Sequence, residues 1–304
     1  MLSKLWESVG EGLAEKWVAQ LGPALVFWFC GLYFWLGWPG LVDLSNTLLK
    51  LDTLQQITLI VGALLLVMAS ANFIQRMAYP VLRFLEGYWP PIFGWLEKWE
   101  IDLVSKRIDR DIEKWEKLHA KIQSGKATRI ELRQASALDR KLHYQPSNPQ
   151  DYMPTELGNI LRMAETMPRY TYGLDAVVCW PHLWSLLPES MREGLSGVRQ
   201  QLDQNSELWL WGILFMVWTW FTWWAIPVGL FWAWIAYRIS LNTARNYADL
   251  ILASFDLYRW DLYKALHLEL PQNSTQEKEY GEKITQHLWR GKPPKDGWAY
   301  KITA

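Results

Sequence analysis

Three charge-free apolar stretches constrain this chain more than any other feature: residues 24–42, 57–74 and 208–237. A helix needs about 20 apolar residues to cross the hydrocarbon of a bilayer. Residues 24–42 make a helix of about 28 Å, and 57–74 match it in character. Trp38, Pro39 and Gly40 sit at the end of the first, where aromatic anchors and breakers belong. A polar connection, 43–54, joins the two.

The third stretch, LWLWGILFMVWTWFTWWAIPVGLFWAWIAY before Arg238, is ambiguous by length. As one helix it spans about 46 Å and must tilt or kink at Pro227; as a hairpin its arms are only about 20 Å each. Two other signals favour the hairpin. Trp prefers membrane interfaces, and a single span would bury Trp218, Trp220, Trp223 and Trp224 in hydrocarbon. The basic flanks agree. Lys4, Lys16, Arg76, Arg83, Arg192, Arg199, Arg238 and Arg245 all fall on one side only if 208–238 turns back. The outer connection carries Lys50 against Asp43 and Asp52. The expected fold is therefore an all-α integral membrane protein. Two transmembrane hairpins, four membrane segments in all, are joined by a mostly helical cytosolic module, and both termini are cytoplasmic.

The expected divisions follow. Residues 1–23 form an amphipathic helix, with Leu2, Leu5, Val9, Leu13 and Trp17 at helical spacing, lying on a membrane or on the protein itself. Glu7, Glu11 and Glu15 argue against a cleavable signal there. Residues 24–77 are the first membrane hairpin, 78–204 the cytosolic module, 205–240 the second hairpin, and 241–304 a long-helix extension with a polar tail. Within the module, 79–99 suits an interface and 101–143 reads as a helical hairpin broken at SGKAT (124–128). Thr155 caps a helix running to about Thr166, after which Pro168 and Gly173 punctuate. LDAVVCW (174–180) suits either a short strand or a buried helical turn. The last long helix ends at Pro271, and HLWRGKPPKDGW suggests a loosely ordered end.

LGNILRMAE (157–165), YGLDAVVCWPHLW (172–184), FDLYR (255–259) and HLWRG (287–291) together resemble a signature of uncharacterised bacterial polytopic membrane proteins. The resemblance covers about 154–291, with its signature segment at 154–191. It implies a helical segment between two pairs of membrane helices and a bacterial origin; the expected location is the bacterial cytoplasmic membrane. It implies no activity and transfers no catalytic residue.

The apolar stretches hold no Asp, Glu, Lys, Arg or His, which counts against an ion-coupled transporter. Formal net charge is zero and gives no nucleic-acid signal. The histidines and two cysteines show no metal-ligand spacing, and no nucleotide loop or nucleophile elbow occurs, so neither metal nor cofactor is expected. Ala225, Gly229 and Ala233 stand at i, i+4, i+8 and suit close helix packing. Arg162 and Glu165 share a helix face, as do Asp256 and Arg259; with Asp175 they suggest a charged pocket that is either a ligand site or a structural ion network. The expected function is non-enzymatic: a homo-oligomeric scaffold, sensor-effector or pore, set in a lipid bilayer, with an unidentified protein partner possible. The alternative is a membrane-embedded enzyme acting on a lipid or headgroup at the cytosolic interface, with Glu165, Asp175 or His182 as acid or base.

Overall fold

The structure is a computed structural model that describes residues 2–291, with side chains described from Leu21 onward. Every regular element among the described residues is helical. In chain order these are α1 (Leu2–Leu49), α2 (Thr53–Glu86), α3 (Gly94–Gln123), α4 (Arg129–His143), α5 (Glu156–Tyr172), α6 (Ala176–Leu186), α7 (Glu189–Phe215), α8 (Ala225–Ala265) and α9 (Ser274–Arg290). The chain forms two compact units: 1–82 with 203–240, and 83–202 with 241–304. It passes from one unit to the other three times, each time inside a helix. The faces of the N-terminal helix over 1–20 and the tail from Lys292 lie outside the described residues.

In the first unit, two helical stretches are long and apolar enough to cross a membrane: Leu21–Leu49, and one within Thr53–Gln123. Only 6% and 11% of their apolar windows are buried within the chain, whereas the core helix of a soluble protein is mostly buried. A kink at Gly37, with φ 66°, bends α1, and helix continues past it to Leu49. The polar connection expected over 43–54 therefore shrinks to Lys50–Asp52. Ala24, Val67, Ile74 and Trp211 form the buried centre of this unit. Trp28 donates its indole N–H to Ser70 Oγ at 3.1 Å, and Phe27 packs on Trp211 with ring centroids 5.2 Å apart. A tryptophan-rich unit thus uses aromatic contacts and a side-chain hydrogen bond where no charge is present.

The stretch 208–238 turns back on itself. α7 stops at Phe215, a 3-10 turn covers Met216–Trp220, and α8 starts at Ala225. The arms meet through small residues: a Cβ on Gly229 would stand 2.6 Å from the Gly212 carbonyl oxygen, and one on Gly212 would stand 2.8 Å from the Ala233 amide nitrogen. Neither α7 nor α8 is among the helices apolar enough to cross a membrane by composition. Each shares its length between an apolar arm and a polar extension in the other unit.

The second unit packs around Leu174, Cys179, Leu183, Leu195, Phe255 and Tyr263. Its helical hairpin starts at Gly94 rather than 101, because the 3-10 turn Pro91–Phe93 leads directly into α3. Thr128 and Glu131 close α4 with a reciprocal capping box. Hydrogen bonds from Lys121 and Thr128 hold the Glu131 carboxyl down to about 2. Thr155 caps α5 as expected, accepting from the Gly158 N–H at 3.0 Å. α5 does not stop near Thr166. It runs through buried Pro168 to Tyr172 and ends on left-handed Gly173. LDAVVCW opens helix α6, with the Asp175 side chain accepting from Val178 N–H at 3.1 Å. α8 ends at Ala265, before Pro271, where His267 takes a positive φ of 56°. The polar tail then forms a further helix, α9, absent from the sequence expectation. Its cap is Asn273, and Tyr280, Ile284 and Leu288 turn toward the core of the unit.

Candidate functional site

The charged residues singled out in the sequence all lie in the second unit, in three places. The first is built on α5. Arg162 reaches Asp151 at 3.2 Å and Glu165 at 3.4 Å. Tyr170 donates to the other oxygen of Asp151 at 2.6 Å and accepts from Asn148 at 3.1 Å. The network fastens the linker before α5 to the helix itself. Asn159 completes the anchoring: its side-chain oxygen accepts from Met153 N–H, and its amide donates to the Met153 and Thr155 carbonyls.

Glu86 adjoins this network and was missed by sequence reading, although Arg83 and Glu86 carry the i, i+3 spacing that pointed to Arg162 and Glu165. The Glu86 carboxylate is buried and accepts from Arg83 at 2.9 Å; the Arg83 guanidinium also lies 3.4 Å from the centre of the Tyr88 ring. Burial pushes the Glu86 carboxyl up, Arg83 and Arg199 pull it down, and Glu165 pushes it up again.

The second place joins α5, α8 and α9. Tyr172 donates to Asp256 at 2.6 Å. Arg259 points its Nε at Glu277, 2.8 Å away, and its plane lies 4.2 Å from the Tyr172 ring centre. Trp260 donates to the same Glu277 oxygen at 2.9 Å. Burial, then the Asp256 hydrogen bond, lifts the Tyr172 hydroxyl to about 12, so it stays a phenol and a donor at neutral pH. Asp256 and Arg259 thus share a face and both meet Tyr172, but the ion-pair partner of Arg259 is Glu277 rather than Asp256. The two networks share no residue among those described.

Asp175 is the third. It caps α6, and its backbone N–H donates to Thr285 Oγ at 3.0 Å. His182 is exposed on α6, and its carbonyl accepts from Ser185. Burial pushes the Cys179 thiol up to about 12, so it is not an available nucleophile at neutral pH. Among the described residues no group of His, Cys, Asp and Glu is placed to hold a metal.

In the first unit, Ala225, Gly229 and Ala233 are all buried. Gly229 and Ala233 pack on α7 of the same chain. Beside them a cavity of about 390 Å³ is lined by Pro23, Phe27, Cys30, Trp211, Phe215 and Trp232 among others.

No protein-family model, curated protein or solved structure matches this chain.

Proposed function

We propose that the chain is a non-enzymatic polytopic membrane protein that assembles with copies of itself, as a scaffold, sensor-effector or pore, under control of its second unit. The observation that carries the reading is the outward surface of the first unit. Phe29, Trp35, Ile60, Leu65, Trp220 and Phe231 are all exposed, within the charge-free stretches 24–42, 57–74 and 208–237. A soluble monomer rarely leaves so much contiguous apolar surface uncovered; lipid or protein must cover it.

In this reading the chain has four membrane segments, both termini are cytoplasmic, and the membrane is a bacterial cytoplasmic one. The reversal at Met216–Trp220 supports the third and fourth segments. Their arms, about 20 Å long, fall short of the hydrocarbon thickness, and such mismatch is relieved by association with neighbouring protein. The small-residue stripe is occupied within the chain, so copies would meet through the large exposed side chains instead. The engagement of Asp175 as a helix cap and of Glu165 with Arg162 favours this reading over a lipid-acting enzyme.

The test is the mass of the protein in lipid nanodiscs. A closed oligomer of fixed stoichiometry supports the reading and makes conductance the next measurement. A monomer across the accessible concentration range contradicts self-assembly.

A further inference from the structure

A cleft of about 590 Å³ opens in the second unit, among the end of α5, the start of α6 and one face of α9. Two distant sequence stretches meet there, YGLDAVV (172–178) and LWR (288–290). Its charged lining is Arg169, Arg290, Asp175 and Glu282. Opposite charges that share a cleft normally pair across it. Here Arg169, Arg290 and Glu282 are in no ion pair among the described residues, and Asp175 uses a carboxylate oxygen only on its own helix. The rim adds Trp289 and Val177, exposed at 72% and 64%.

The floor is fixed. The backbones of the α5 end and α9 touch, so that a Cβ on Gly281 would stand 2.0 Å from the Tyr172 carbonyl oxygen. Thr285 donates to the Gly173 carbonyl at 3.1 Å and accepts from Asp175 N–H, clamping all three helices. A rigid floor with separated, unspent charges above it is organised before any ligand arrives.

We infer that this cleft binds a small zwitterion that joins a phosphate to an ammonium. Two guanidinium groups suit a phosphate with several anionic oxygens. The two carboxylates and the exposed face of Trp289 suit the ammonium. A bare anion would meet Asp175 and Glu282 as well as the arginines; a zwitterion matches a lining whose formal charges cancel. The same chemistry occurs in a soluble phosphoamine and in a lipid headgroup. The cleft lies wholly within the second unit, so its ligand does not depend on how the first unit meets a bilayer.

The experiment is calorimetric titration of the full chain, in phosphatidylglycerol nanodiscs, with O-phosphoethanolamine, inorganic phosphate and ethanolamine. The expected result is binding of O-phosphoethanolamine at least about tenfold tighter than either half alone, and weakening of about tenfold for each of Arg169→Gln, Arg290→Gln and Glu282→Gln. These side chains are exposed, so the variants should keep the parent melting temperature. Repeating the titration in phosphatidylethanolamine nanodiscs separates the sources. Competition by the bilayer assigns the site to a headgroup, and unchanged affinity assigns it to a soluble ligand. Phosphate binding as tightly as the zwitterion, no heat with any probe, or indifference to both arginine substitutions would overturn the inference.

Discussion

Gly173 and the Lys278 carbonyl stand so close that a Cβ on the glycine would lie 2.0 Å from the oxygen. The glycine also has φ 74°, a left-handed conformation that costs other residues free energy. α5 ends here, and α9 is held here. Gly173→Ala should therefore destabilise the second unit by more than about 2 kcal/mol, with Gly281→Ala nearby doing the same. Because both force the same crossing apart, the double variant should cost less than the sum. Thermal unfolding followed by the near-ultraviolet signal checks both points. Unchanged melting in either single variant would mean the crossing is looser than described.

The second hairpin depends on a similar approach. Gly229→Val should cost about 1–3 kcal/mol by overpacking against Gly212 and Met216. Gly62, which has nothing within 4 Å of a Cβ, serves as the control, and Gly62→Ala should melt like the parent. Equal loss in both would show that α2, not the hairpin, sets the stability of the first unit.

The Arg259–Glu277 pair is nearly buried, with side-chain exposures of 15% and 11%. Glu277→Ala leaves the guanidinium and the Trp260 indole without their acceptor, at a cost of about 3–5 kcal/mol. Replacing both charges together, by Arg259→Met with Glu277→Leu, should cost much less than the two single changes summed. A double-variant cycle in denaturant reads the coupling, and additivity would contradict it.

Glu86 sets a pH dependence of defined sign. Burial raises its carboxyl in the folded state, so between the ordinary glutamate range and the raised value the folded form holds more protons than the unfolded one. Stability falls as pH rises through that window and is greatest below it. Glu86→Gln, which keeps a hydrogen-bond acceptor for Arg83, should remove this fall and flatten the melting temperature between weakly acid and neutral pH. A parent slope of the opposite sign would mean that Arg83 and Arg199 outweigh burial.

Sequence reading worked where one local interaction decides an element. The apolar seam from Val104 to Ile122 marks α3, the break at SGKAT (124–128) places the start of α4, and Thr155 places the start of α5. It failed where tertiary packing overrides a local signal. Pro168 reads as a stop, yet α5 continues because the proline is buried and the helix is held to α9. α9 was hidden by its polar composition, although Asn273 as a cap and the i, i+4, i+8 series Tyr280, Ile284 and Leu288 mark it. The i, i+3 spacing made the shared faces of Arg162 with Glu165 and of Asp256 with Arg259 legible. Their partners were not: Asp151, Tyr172 and Glu277 come from other parts of the chain, and one sequence does not place them. The cleft at Arg169 and Arg290 was illegible for the same reason.

That the chain turns back inside the bilayer is the claim on which the rest of the topology depends, and impermeant maleimide labelling in intact cells tests it most directly. Cys30 is replaced by Ser; Cys179 is fully buried and can stay. Thr222→Cys, in the turn before α8, should label from outside. Gln272→Cys, between α8 and α9, should label only after the cells are opened. Labelling of Gln272→Cys in intact cells, with Thr222→Cys protected, would show a single crossing by 208–238 and contradict the four-segment account.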